Sequence, residues 1–478
     1  MKLKLLSVCM AVAALPLLAH VGSPDVFFEG NAGPYRLLIT IRPPQAVPGV
    51  AEIEIRSATP DVRQIHIVPL RLGYKGAQFS PIADSATPSH DDPQFYTGNL
   101  WLMQTGSWQV QVDVDGAQGP GRVSVPVPAL ATKIAGMQKA VAGTLIFLGL
   151  VLCFGLVSIA GAAVRDAMLE PGKQPDAARL RRSRAVMVIT AVLVCAALYF
   201  GNSWWSSDAS FYSRNIYKPL QLKPSVVDGN RLVLELQNPG WLNRSTDDLV
   251  PDHNHLMHLY VIHVPEMDLV WHLHPERGTD GNFEQHLPDM PAGHYALYGD
   301  VVHAIGIGET ATGEIDVPAI AGTPLMGDDA GGSGPPVAAS PARTVSPLPN
   351  GYRMVWERGD GKLRARQPQE FRFRLEDAQG KPATDMELYM GMLGHAAFVS
   401  TDRSVFAHVH PSGSVPMPAI ALTQPDNPHA GHMMMESGLP AEAMFPWGFP
   451  KAGQYRIFVQ MKRAGEISTG VFDAAVEP

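Results

Sequence analysis

Cysteine is nearly missing from this chain, with three in 478 residues. Cys9 falls within the first 19 residues, and Cys153 and Cys195 lie inside long apolar runs, so no disulfide framework is available to the polar regions. Basic runs are also missing outside one short segment, and the net charge is -8. Nucleic acid therefore finds no electrostatic footprint. No G-x-S-x-G, H-E-x-x-H or P-loop pattern occurs, which removes support for hydrolytic and nucleotide chemistry. The apolar runs hold no carboxylate or histidine, and an ion pathway through them would be expected to need such groups.

What is present begins with residues 1–19, in which Lys2 and Lys4 precede an apolar run ending at Ala19. That is the arrangement of a secretory signal peptide. Two longer apolar runs, 140–164 and 185–203, are long enough to cross a bilayer, the second ending at Trp204 and Trp205, residues that favour the interface. The loop between them, 165–184, carries Arg165, Lys173, Arg179, Arg181, Arg182 and Arg184. Positive charge of this kind stays cytoplasmic, which places both flanking regions outside, in a two-pass protein of a bacterial inner membrane.

The flanking regions consist of short alternating segments punctuated by Gly, Pro and Asp, the pattern of β-sandwiches. The expected fold is mainly β: three Ig-like or cupredoxin-like sandwich modules at 20–130, 206–320 and 351–478, with a transmembrane helix hairpin at 138–205. Residues 321–350, rich in Gly, Pro and Ala, read as a flexible linker. An internal repeat supports the modular reading, since 257–275 aligns with 394–411 and 291–313 with 451–470.

Each repeat contains a histidine pair, "WHLHP" at 271–275 and "AHVHP" at 407–411. Residues two apart on a strand share one face, about 7 Å from each other, so His272 pairs with His274 and His408 with His410. A hairpin turn centred on Glu266 sets His258 opposite His274, and one at Asp402 and Arg403 sets His395 opposite His410. Each module then gathers three imidazoles, a donor set for copper, with zinc as the second candidate. The reading takes these faces as exposed, so that two separate sites couple weakly and removing His408 and His410 costs folding no more than roughly 1 kcal/mol. His429, His432 and Met433, in a loop with further methionines, add donors suited to copper. Cleavage after Ala19 would expose His20 as a chelating terminus, with His66 and His90 as available partners.

With these residues in view, the modules resemble the periplasmic β-sandwiches of the YtkA-like, FixH-like and CopC-like group. The segment 449–476 is similar to the terminal strands of the YtkA-like domain, and His20 is similar to the chelating first residue of CopC-like carriers. The resemblance implies copper handling outside the cytoplasm. The functional expectation is a membrane-anchored protein for copper buffering, delivery or resistance rather than an enzyme, with an envelope metalloprotein or transporter as partner. The alternatives are an oxidative enzyme using copper at His20, and a docking module of an envelope complex in which no metal takes part.

Overall fold

The computed structural model describes residues 25–72, 80–170, 172–337, 343–424 and 438–478. Among the described residues the chain is mainly β, with two long apolar helices, and it divides into a β unit (25–130 and 218–478) and a helical unit (131–217). In the helical unit, Lys139–Asp166 and Ala177–Arg214 are each long and apolar enough to cross a membrane. They pack closely at Gly161, where a β-carbon would lie 2.4 Å from Met187 and where Ser183 Oγ donates to the Gly161 carbonyl at 2.7 Å. The second helix runs beyond the expected end at 203 to Arg214, because no Gly or Pro interrupts "SSDASFYSR".

In the β unit, the first module has a five-stranded and a four-stranded antiparallel sheet. Strand alternation builds its core: Leu37, Ile39 and Ile41 are buried on Tyr35–Arg42, and Val110, Val112 and Val114 on Gly106–Gly116. The second module differs from a plain two-sheet sandwich. Nine of its ten strands form one continuous hydrogen-bonded path, joined by the short parallel pairing of Gln221 with Thr312, and the tenth, Leu249–Val250, pairs beside that path with Gly293–His303. The third module has a four-stranded and a six-stranded sheet.

The segment expected as a flexible linker contains a strand, Ala330–Ser333, paired with Leu269–Leu273. Two of its glycines, Gly332 and Gly334, serve close approach. A β-carbon on Gly332 would lie 2.5 Å from Thr469 in the third module, and one on Gly334 would lie 2.9 Å from Val471.

The second and third modules are not separate bodies joined by a tether. On His258–Val264, Leu259 and Val261 enter the module's own core, whereas Tyr260, Ile262 and Val264 point the other way. On His395–Ser400, Ala396 and Phe398 enter the third module's core, and Ala397 and Val399 point away. These two outward faces pack on each other, forming a shared apolar cluster in which Tyr298 stacks on Phe406 with centroids 4.4 Å apart. The histidines belong to the same faces, so they are buried between modules instead of exposed.

Candidate metal centre

The hairpin registers place the histidines as their spacing predicts. Leu259 pairs with Leu273 and Ala396 with Val409, which sets His258 across from His274 and His395 across from His410. The third-module strand Gly453–Arg463 and the second-module strand Gly293–His303 flank the hairpins at equivalent positions, with His258 paired to Asp300 and His395 to Gln460. The internal repeat also extends upstream of the hairpins. His253 and Asn254 have φ of 47° and 71°, Met390 and Gly391 have φ of 51° and 80°, and both turns are closed by paired backbone hydrogen bonds, Asp252 with His255 and Tyr389 with Met392. A two-residue turn with both central residues left-handed fits Asn and Gly.

Among the described residues, two groups of three imidazoles result. His258, His272 and His274 offer nitrogens that all lie within 4.8 Å of one another, and so do His253, His395 and His410. The second group crosses the module boundary, because His253 comes from the second module. His408 is close to both groups, with ring centroids 5.2 Å from His258 and 5.3 Å from His395. It accepts a place beside His395 rather than in either triad: its Nε2 is 3.0 Å from His395 Nδ1, and its Nδ1 is 3.3 Å from Asp300 Oδ2.

The hydrogen bonds around the first group settle its tautomers. Thr469 Oγ1 donates to the Gly331 carbonyl and accepts from Gln460 Nε2, which turns Gln460 Oε1 toward His272 Nδ1 at 2.8 Å. Tyr389 donates its hydroxyl hydrogen to the Asp328 carbonyl, so it too can only accept from His272 Nδ1. His272 therefore carries its proton on Nδ1. His258 Nε2 donates to the Asp252 carbonyl at 3.0 Å, and His274 Nδ1 donates to Asp329 Oδ1 at 3.0 Å. All three rings keep a lone pair on the remaining nitrogen. Two of these, His258 Nδ1 and His272 Nε2, face each other at 3.2 Å, and His274 Nε2 is buried without a partner among the described residues. Two facing lone pairs repel unless a cation sits between them. Nitrogen ligands of a tetrahedral ion with bonds near 2.0 Å are about 3.3 Å apart, so the spacing fits a shared ion.

Burial, reinforced by neighbouring imidazoles, pushes His258, His272, His395, His408 and His410 well below the ordinary histidine range, and His274 to about 3. Burial also raises Asp252 and Asp300 to about 7. The rings are thus neutral near pH 7, the form that ligates metals. For metal-free protein this fixes a sign. Below the unfolded histidine value near 6.5 the unfolded chain takes up protons that these folded rings refuse, and each such proton lowers stability by about 1.4 kcal/mol per pH unit. Asp252 and Asp300 act oppositely between about pH 7 and 4, but the six rings outnumber them. Urea unfolding in chelator is expected to show a steep stability loss from pH 6.5 to 5. A flat profile would mean that the rings are solvated or already protonated.

The remaining expected site residues fall elsewhere. His66 lies on Val62–Arg71 with Nδ1 3.3 Å from Ser85 Oγ, and His90 is fully exposed beside Asp91. His20, His429, His432 and Met433 lie outside the described residues. The sequence shows His253 and His255 just before His258 but assigns His253 to no triad, although "DHNHLMH" held the signal: an Asn at a left-handed turn aligned with Gly391 of "YMGMLGH". The supporting groups Asp300, Asp329 and Gln460 left no trace in the spacing.

The model of a domain of unknown function, DUF8832, matches residues 345–478, the third module. No curated protein matches the chain. Among solved structures, Salmonella alpha-2-macroglobulin reacted with methylamine aligns at 8% identity and a TM-score of 0.19, over 96% of this chain and 24% of that one. Dimeric latent PorU from Porphyromonas gingivalis aligns at 7% identity and a TM-score of 0.13, over 90% of this chain and 32% of that one. The chain therefore spans about a quarter and a third of those proteins' lengths.

Proposed function

We propose that this chain is a membrane-anchored, extracytoplasmic metal-binding protein that holds copper between its second and third modules. The observation that carries the reading is the pair of buried lone pairs, His258 Nδ1 and His272 Nε2, facing each other at 3.2 Å with their protons directed elsewhere. Imidazole accepts Cu(I), Cu(II) and zinc, and the buried methionines Met390 and Met392 in the adjoining turn favour the softer ion. The two apolar helices and the arginines between them support an anchor with both ends outside. An ion enclosed at a module interface suits storage or handover to an envelope metalloprotein or transporter. That is the copper-handling role implied by the likeness to YtkA-like and CopC-like modules.

The test is metal analysis of the full-length protein, solubilised in detergent, loaded with Cu(II) or Zn(II) and washed by gel filtration. About two ions per chain are expected, with copper displacing zinc. Protein that emerges free of both metals would overturn the reading.

A further inference from the structure

The two imidazole groups are related by the internal repeat, yet their surroundings are not equal. In the group of His258, His272 and His274, every second nitrogen is held: by the Asp252 carbonyl, by Gln460 Oε1 and by Asp329 Oδ1. Asp329 is held in turn, its Oδ2 accepting from Gln285 Nε2 at 2.9 Å. Such outer partners fix the tautomer and aim the lone pair, and losing one typically costs about 10–100-fold in metal affinity.

In the other group, His253 Nδ1 donates to the Met390 carbonyl at 2.7 Å. His395 leans on His408 through Nδ1, and its buried Nε2 has no partner among the described residues. His410 is buried, and among the described residues no side chain holds its ring, the Val415 backbone being the polar group beside it. The two groups also adjoin each other. Ring centroids of His272 and His395 are 6.1 Å apart, and those of His258 and His395 are 6.4 Å apart. With metal to nitrogen bonds near 2 Å, ions in the two groups would be separated by no more than about 13 Å.

We infer that the groups form one centre of two unequal, interacting ions: a first held by His258, His272 and His274, and a second, weaker and more readily exchanged, held across the module boundary by His253, His395 and His410. The inference rests on the metal-binding reading above and adds order, inequality and proximity to it. His408 is a positioning residue in this scheme, since the chain Asp300, His408, His395 orients a ligand of the second ion. The weaker ion is the one available for transfer, and its binding draws His253 of one module against His395 and His410 of the other.

Cu(II) titration of the full-length detergent-solubilised protein, followed by electron paramagnetic resonance, tests this. The first equivalent is expected to give the spectrum of an isolated Cu(II). The second should bind roughly 10–100-fold more weakly, broaden that spectrum and add a half-field transition from spin coupling. Asp329→Asn should weaken the first ion by about tenfold and leave the second unchanged, and His408→Gln should weaken only the second. The wild-type titration needs no variant to fold. Two bound ions with independent spectra, or with equal affinities, would overturn the paired centre while leaving metal binding intact, and no bound copper would overturn both.

Discussion

Asp473→Ala is expected to lower the unfolding free energy of the β unit by about 3–5 kcal/mol, the usual consequence of leaving one member of a buried ion pair alone. Arg456 is 0% exposed at the module interface. Its Nε and Nη2 donate to Asp473 Oδ1 at 2.9 and 2.7 Å. Its Nη1 donates to the carbonyls of Met267 and Pro335 at 2.7 and 2.8 Å, one in the second module and one in the segment that joins the modules. A single third-module side chain therefore ties three parts of the chain together. Burial already pulls the Arg456 guanidinium below its ordinary value, and without Asp473 the charge would keep only carbonyl dipoles and the more distant Asp268 carboxylate. Arg456→Met removes the charge itself and is expected to cost less, although it deletes more hydrogen bonds. Urea midpoints in chelator compare the two variants. A cost under about 1 kcal/mol for Asp473→Ala would mean that water reaches the guanidinium and the interface is open.

Removing bound metal is the second large effect. An ion that binds only the folded state stabilises it by about 2.7 kcal/mol at 100 times its dissociation constant and by about 4.1 kcal/mol at 1,000 times, so with copper at 100 times the dissociation constant of the weaker site, stripping both ions is expected to cost about 7 kcal/mol. The double variant His272→Ala with His274→Ala, which removes the tighter ion, should lose more than half of that copper-dependent stability. In chelator it should also be less stable than the parent by more than about 1 kcal/mol, because both rings are buried and His272 stacks on Tyr260 at 4.2 Å. This reverses the sequence-based expectation that histidines on an exposed hairpin face can be removed cheaply. Thermal melts of both proteins with and without Cu(II) decide the matter, and equal melting points in all four samples would remove the metal from the account.

Much of the local geometry was legible beforehand. The period of two placed His272 with His274 and His408 with His410, and the turn positions set the hairpin registers. The apolar runs marked both long helices, and the alternation marked the β-rich flanks. Composition misled at 321–350, where glycine signalled flexibility but Gly332 and Gly334 instead let a strand lie against Thr469 and Val471. The outward faces misled for a related reason: a strand with one face in its own core reads the same whether the other face meets water or another module.

The sequence by itself determined which side of each strand the imidazoles occupy, because alternation is a property of the backbone and needs no partner. Only the tertiary structure decided that these sides face each other, that His253 joins His395 and His410, and that Gln460, Asp300 and Asp329 stand behind the rings. Those contacts join residues as far as 188 positions apart, and they follow from the packing of Tyr260, Tyr298 and Phe406 across the interface. Apolar burial of that kind is non-directional, so spacing along the chain does not encode which faces it will bring together.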